Sequence, residues 1–326
     1  MTEMPTFARY QWQRDPANPV VAPDASLPEE STRCMNPFVI RVDDTYRLYY
    51  SGGDPDGRQR ICLATASVDR PTDWERYGVV LDLGESGAFD ANWCVLPCLH
   101  RFGDRWHLYY TGNDGSGKGL QSFRGIGLAV SEDGVHFERR SPELLITGDQ
   151  VSEYPENRGI AGGGTVLEDR LADGSIRYRM YYTLAVGVPS DDVRVDQEKH
   201  CAVCHSVDGV RWTDHRIIMS PRADVSNEDV AVAAPYVWQE DDAYRMLYCG
   251  IGTRWGFYSI SEAVSRDGYE WQRGEGDANL SLVPGQEGSW ESQMVEYPAV
   301  IQEGEGLRLF YCGNGYGKTG IGTATA

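Results

Sequence analysis

Residues 46–52 read YRLYYSG, and the chain returns to this pattern four more times. The copies are WHLYYTG at 106–112, YRMYYTL at 178–184, YRMLYCG at 244–250 and LRLFYCG at 307–313. Their final tyrosines are Tyr50, Tyr110, Tyr182, Tyr248 and Tyr311, at intervals of 60, 72, 66 and 63 residues. Repetition of this kind marks an architecture assembled from copies of one supersecondary unit. An apolar run precedes each copy: PFVI, PCLH, GTVLE, PYVW and PAVI. Runs of small residues follow, such as ICLATAS, IGLAVS, ISEAVS and IGTATA. A turn then leads to an aromatic residue, as in SVDRPTDW, SEDGVHF, SVDGVRW and SRDGYEW. Asp-Gly tolerates positive φ and favours hairpins. Each unit therefore predicts four strands in roughly 60 residues, which is the arithmetic of a propeller blade.

The two ends of the chain complete one another. The last unit stops at IGTATA, its third strand, while residues 7–23, FARYQWQRDPANPVVAP, match the fourth-strand pattern WERYGVVLDLG. Trp12 thus stands where Trp74, Trp212 and Trp271 stand. The expectation is an all-β, five-bladed β-propeller of four-stranded antiparallel blades, one domain over 1–326, its ring closed by the N-terminal strand. Such pairing removes an open sheet edge.

Composition narrows the function classes. The net charge of −19 disfavours nucleic acid and anionic membrane surfaces as partners. No stretch approaches the roughly 20 apolar residues that span a bilayer. The start, MTEMPTFARYQWQRD, has neither the basic nor the apolar region of a secretory signal. Eight cysteines sit mostly in apolar strand-like runs and read as small buried hydrophobes in a reducing compartment, so a cytoplasmic protein is expected. HCAVCH (200–205) has the look of a metal motif, but it aligns with a third strand. Residues three apart in a strand point to opposite faces, so no metal site is assigned there.

Loops entering the inner strands should line one face of the central channel, where a rigid scaffold commonly presents function. Those loops carry Glu30, Asp90, Glu153, Glu156, Glu228, Asp229, Glu291 and Glu296, with Arg33, Asn36, Asn92, Trp93, Arg158, Gln293 and Tyr297 beside them. The loops between second and third strands add Asp54, Asn113, Asp114, Arg124, Arg254, Trp255, Tyr316 and Lys318. Carboxyl groups with Trp and Tyr around a cleft suit sugar chemistry. Glycosidic cleavage passes through an oxocarbenium-like state and uses carboxyl groups, one of them kept protonated. The general acid expected is Glu296, two residues before Pro298. Asp90, Glu228 or Asp229 would serve as base or electrostatic partner. Arg33, Asn36, Trp93, Glu156, Arg158, Arg254, Trp255 and Tyr297 would hold a small carbohydrate. No cofactor is called for, and an ion in the central channel stays open.

Repeat, end pairing and entry loops together resemble the five-bladed propeller superfamily of glycoside hydrolases, which includes families 43, 32, 68, 117 and 130. In family 43 the resemblance implies three carboxylates, in blades one, three and four. Here those places hold Asn36, Gly163 and Ala233. The family 32 and 68 nucleophile position also falls on Asn36. Family 130 implies another route, phosphorolysis with one carboxylic acid and a basic pocket, for which Arg33, Arg124, Arg158, Arg254 and Lys318 are candidates. A non-catalytic sugar-binding propeller is the third reading.

Overall fold

The computed structural model describes residues 7, 9–117, 123–151, 160–187 and 197–326. After the short strand β1 (Gln13–Arg14) come five antiparallel units. Blade one holds β2 (Arg33–Val42), β3 (Thr45–Gly53), β4 (Gln59–Ser67) and β5 (Glu75–Leu81). Blade two holds β6 (Trp93–Phe102), β7 (Arg105–Asn113), β8 (Phe123–Ser131) and β9 (Glu138–Arg139). Blade three holds β10 (Ile160–Arg170), β11 (Ile176–Gly187), β12 (Gln197–Ser206) and β13 (Thr213–Met219). Blade four holds β14 (Ala231–Glu240), β15 (Ala243–Ile251), β16 (Tyr258–Ser265) and β17 (Gln272–Arg273), with β18 (Leu280–Leu282) also on β16. Blade five holds β19 (Glu296–Glu303), β20 (Gly306–Cys312) and β21 (Ile321–Thr325), and β1 pairs with β21 through Gln13–Thr325 and Arg14–Ala324. Three fourth strands are only two residues long. Each stops just ahead of Pro16, Pro142 or Gly274, residues that weaken a ladder.

All five inner strands carry a bulge at the same place. Pairing registers shift across Met35/Phe38, Val95/Cys98, Gly162/Thr165, Ala233/Tyr236 and Glu296/Ala299. Inside the bulge Asn36, Leu96, Ala234 and Tyr297 have φ of 54°, 57°, 50° and 55°, just before Pro37, Pro97, Pro235 and Pro298. These bulges ring an axial cavity of about 30 Å³, room for about one water. Each turned amide is free to reach the neighbouring blade. Leu96 N donates to Ser51 Oγ (3.3 Å), Ala234 N to Thr183 Oγ1 (2.8 Å), Tyr297 N to Cys249 Sγ (3.1 Å) and Asn36 N to Cys312 Sγ (3.1 Å). The acceptor is always the residue after the last Tyr of the repeated pattern, which explains the Tyr-Ser, Tyr-Thr and Tyr-Cys pairs.

The aromatic after each turn packs on the preceding blade. Phe137 meets Tyr49, Trp212 meets Tyr109, Trp271 meets Tyr181 and Trp74 meets Phe310, all edge-on at 80–83°. The same tyrosines donate to the turn glycines: Tyr49 to Gly134 O (2.6 Å), Tyr109 to Gly209 O (2.6 Å) and Tyr181 to Gly268 O (3.0 Å). Those glycines have φ of 69–76°, where a side chain would be strained. All eight cysteines are buried and free. HCAVCH lies in β12 as expected, with Cys201 and Cys204 paired to Thr183 and Met180 of β11.

Candidate functional site

The acids entering the inner strands fall into two groups. Glu30, Asp90, Glu228 and Glu291 are buried and belong to one repeated device. Each lies 20 residues before a strand-ending Tyr, and three of them accept from that hydroxyl. Tyr50 donates to Glu30 (2.6 Å), Tyr110 to Asp90 (2.8 Å) and Tyr248 to Glu228, while Glu291 helps raise the pKa of Tyr311. Each also receives the Arg two residues after the turn aromatic. Arg76 reaches Glu30, Arg139 reaches Asp90 (2.8 Å), Arg273 reaches Glu228 (2.7 Å) and Arg14 reaches Glu291 (2.6 Å). Glu228 is the most heavily bonded, with Arg222 Nε at 2.5 Å and Asn279 Nδ2 at 2.9 Å. In blade three the residue two after Trp212 is Asp214, and the next, His215, meets the strand-ending Tyr, its Nδ1 3.0 Å from the Tyr182 hydroxyl.

Glu296 opens β19 in blade five, paired with Cys312 just before the inner-strand bulge. It is fully buried, and among the described residues neither carboxyl oxygen has a hydrogen-bond partner. Its counterparts in the other blades are Met35, Val95, Gly162 and Ala233, so no other described bulge repeats it. Burial pushes its pKa well above the usual carboxylate range, against the pull of Lys199 and Arg33. Lys199, near the start of β12, donates from Nζ to the Tyr258 hydroxyl (2.9 Å) and lies over that ring. Burial brings the Lys199 pKa down to about 8, with Glu296 opposing. Tyr258 packs near Tyr297 and, edge-on, Tyr316. Tyr316 is 38% exposed at the mouth, and burial, with Glu296 adding, pushes its hydroxyl to about 12. The Tyr316 loop is seated tightly. A Cβ on the next residue, Gly317, would come within 2.2 Å of Cys34 O. Asn314 also anchors this loop, its Oδ1 accepting from Gln293 N at 2.7 Å.

Of the residues proposed from sequence, Arg33, Tyr297 and Tyr316 lie within electrostatic reach of Glu296. Asn36 lines the axial cavity, its Oδ1 accepting from Ser51 Oγ (2.9 Å) and its Nδ2 buried without a partner. The others are engaged elsewhere. Asp229 accepts from Thr253 N and Oγ1 (2.8 and 2.7 Å) and pins the loop after β15. Trp93 donates to Gly57 O (2.7 Å). Arg254 pairs with Asp277 and stacks on Trp255 (4.6 Å). Arg124 pairs with Asp114 (2.7 Å). Glu153, Glu156 and Arg158 lie outside the described residues. Sequence reasoning missed Lys199 and Tyr258. Their signal is weak: each sits at the loop end of a third strand, but one Lys or Tyr there carries no pattern.

This is the architecture of the propeller-type glycoside hydrolases. A complex of BT0996 with RGII superposes with a TM-score of 0.74 at 19% identity, covering 94% of this chain and 91% of that protein. A structure described as a glycoside hydrolase also gives 0.74 at 18%, over 99% and 92%. A member of the GH130 family, reported among mannoside phosphorylases and hydrolases that target β-1,2-mannosidic linkages, gives 0.70 at 17%, over 96% and 93%. No family model matches the chain. It is 30% identical over 319 residues to the uncharacterized protein Rv1502 of Mycobacterium tuberculosis strain H37Rv, covering 94% of this chain and 96% of that protein. The uncharacterized protein MT1551 of strain CDC 1551 aligns to the same extent. The chain belongs to the same family as these mycobacterial proteins.

Proposed function

We propose that this protein cleaves a glycosidic bond of a small carbohydrate, with Glu296 as the proton donor to the leaving oxygen. One observation carries this reading: a fully buried carboxyl, unpartnered on both oxygens among the described residues, at the one described inner-strand bulge that an acid flanks. A group so placed keeps its proton near neutrality, as a general acid must. Tyr316, Tyr297 and Tyr258 supply aromatic surface for a sugar ring. Asp90 and Glu228 are reassigned from catalysis to architecture, because Arg139 and Tyr110 both engage Asp90 Oδ2, Glu228 is engaged on both oxygens, and the pairing of acid with Arg recurs from blade to blade. Asp229 is reassigned to loop support. The chemistry needs no cofactor, and the eight free cysteines favour a reducing, cytoplasmic setting. The acceptor is read from the product: free sugar for water, sugar 1-phosphate for phosphate.

The test is Glu296→Gln, assayed on a panel of glycosides. Turnover should fall by about 10²- to 10⁴-fold while the fold is retained. Undiminished turnover would remove Glu296 from the chemistry.

A further inference from the structure

We propose that the facing histidines His100 and His107 form an acid-operated latch on the seam between blades two and three, closed while both rings are neutral and opened when they take up protons. The latch is separate from the Glu296 site. Its first support is a break in the repeat. Three residues before the strand-ending tyrosines stand Arg47, His107, Arg179, Arg245 and Arg308. Each faces a residue of the inner strand, giving the pairs Ile40–Arg47, His100–His107, Leu167–Arg179, Trp238–Arg245 and Ile301–Arg308. In four blades a permanent cation therefore sits opposite an apolar side chain, and its acceptors are fixed. Arg47 donates to Asp133 O (2.6 Å) and Arg179 to Asp267 O (2.6 Å), each in a turn of the following blade. Arg245 pairs with Glu240 and Glu262, and Arg308 with Glu303. Blade two has two imidazoles opposite each other instead. All six histidines of the chain lie between residues 100 and 215, and none is in blade one, four or five.

The pair is built into the seam. Phe102 packs on both rings, its centroid 4.8 Å from His100 and 4.4 Å from His107. Blade three closes over them. Tyr178 of β11 lies 5.5 Å from His100 and 4.4 Å from Phe102. A Cβ on Gly209, in the turn after β12, would come within 2.5 Å of the Phe102 ring. The Tyr109 hydroxyl is 3.4 Å from His107 Nδ1 and donates to Gly209 O (2.6 Å). Protonation places charge among these rings, and like charges directly opposite across a β-ladder repel.

Burial lowers both pKa values, that of His100 to about 4. Glu168 of β10 draws a proton toward His100, and Asp208, next to Gly209, draws one toward His107. Arg140 and Arg105 oppose the charge on His107. Tyr109 and Tyr178, their pKa values raised by burial, stay neutral. Both imidazoles have folded values below the ordinary 6.5. Their stabilisation of the seam is thus full above 6.5 and is lost as pH falls through the folded values. Leu96 and Pro97 of blade two and Gly163 and Gly164 of blade three line the axial cavity, so an open seam loosens the ring at its centre.

The test is hydrogen exchange of the full chain, read by mass spectrometry from pH 7.5 to 4 and corrected for intrinsic rates. As pH falls below 6, β6, β7 and β11 should lose about ten-fold or more in protection relative to β14, β15 and β16. His100→Ile with His107→Arg rebuilds the Ile40–Arg47 pair, with the Asp208 carbonyl placed as Asp133 O is for Arg47. That double variant should lose protection evenly across the blades. His100→Phe keeps an aromatic ring and removes one charge, and should move the selective loss to lower pH. Two outcomes overturn the latch. One is even loss across blades two to five in the wild type. The other is a selective loss unchanged in both variants, which would trace it to His205 and His215 of blade three instead.

Discussion

Glu228 and Glu296 are the same residue type, equally buried, in neighbouring blades. Glu228 is surrounded by Arg222, Arg273, Tyr248 and Asn279, while Glu296 has no hydrogen-bond partner. Burial does not separate the two. Hydrogen bonding does, and so does recurrence: a buried acid paired with an Arg is found in four blades, and Glu296 stands alone among the described bulges. A carboxylate held by arginine and tyrosine is committed to the scaffold. One left bare at equal depth has its proton affinity raised by burial.

The sharpest way to break this contrast is to remove the carboxylate from both places. Glu296→Gln should cost two to four orders of magnitude in turnover and little in melting temperature, whereas Glu228→Gln should leave residual turnover per folded molecule near normal. The second variant should instead lose about 3 kcal/mol in denaturant unfolding, because two arginines are left without their anion. Equal stability losses in both variants would dissolve the distinction.

Acidity sharpens it further. Glu296 has a raised pKa in the fold, so its contribution to stability is fully present below its ordinary value of 4.5 and is lost as pH climbs through the raised value. Wild type minus Glu296→Gln stability should therefore decline with rising pH, seen in unfolding curves from pH 4 to 9. Turnover should fall on the alkaline side as the acid ionises. Lys199 has the opposite sign. Its pKa drops from 10.5 to about 8, so wild type gains stability relative to Lys199→Met between those values and gives it up as pH falls through about 8. The groups facing this pair are Arg33, Tyr258, Tyr297, Tyr316, Cys249 and Cys312, and Arg33 stays charged throughout. The smallest effect belongs to Cys312→Ser. It restores the hydroxyl found at Ser51 in the same inter-blade contact, and should change stability by less than about 1 kcal/mol.

Much of this was legible in the sequence because it is local or periodic. The Tyr-ended strands, the Ser-x-Asp-Gly turns and the match of Trp12 to Trp74 all reflect rules repeated blade after blade. Glu296 was legible as an acid two residues before a bulge proline. The roles of Asp90 and Glu228 were not. A residue 20 before a Tyr and an Arg two after a Trp are unremarkable separately, and only the folded blade shows that they meet. Lys199 was hidden for the opposite reason, since nothing in the other blades repeats it.

The pairing of Gln13 and Arg14 with Thr325 and Ala324 has a consequence for biosynthesis. β1 is synthesised long before β21 and must wait for it before it finds its mate. Until then blade five has a bare flank, a ready template for a stray strand from another molecule. A stop ahead of β21 would yield a chain with most of its sheets formed, yet prone to cling to its siblings.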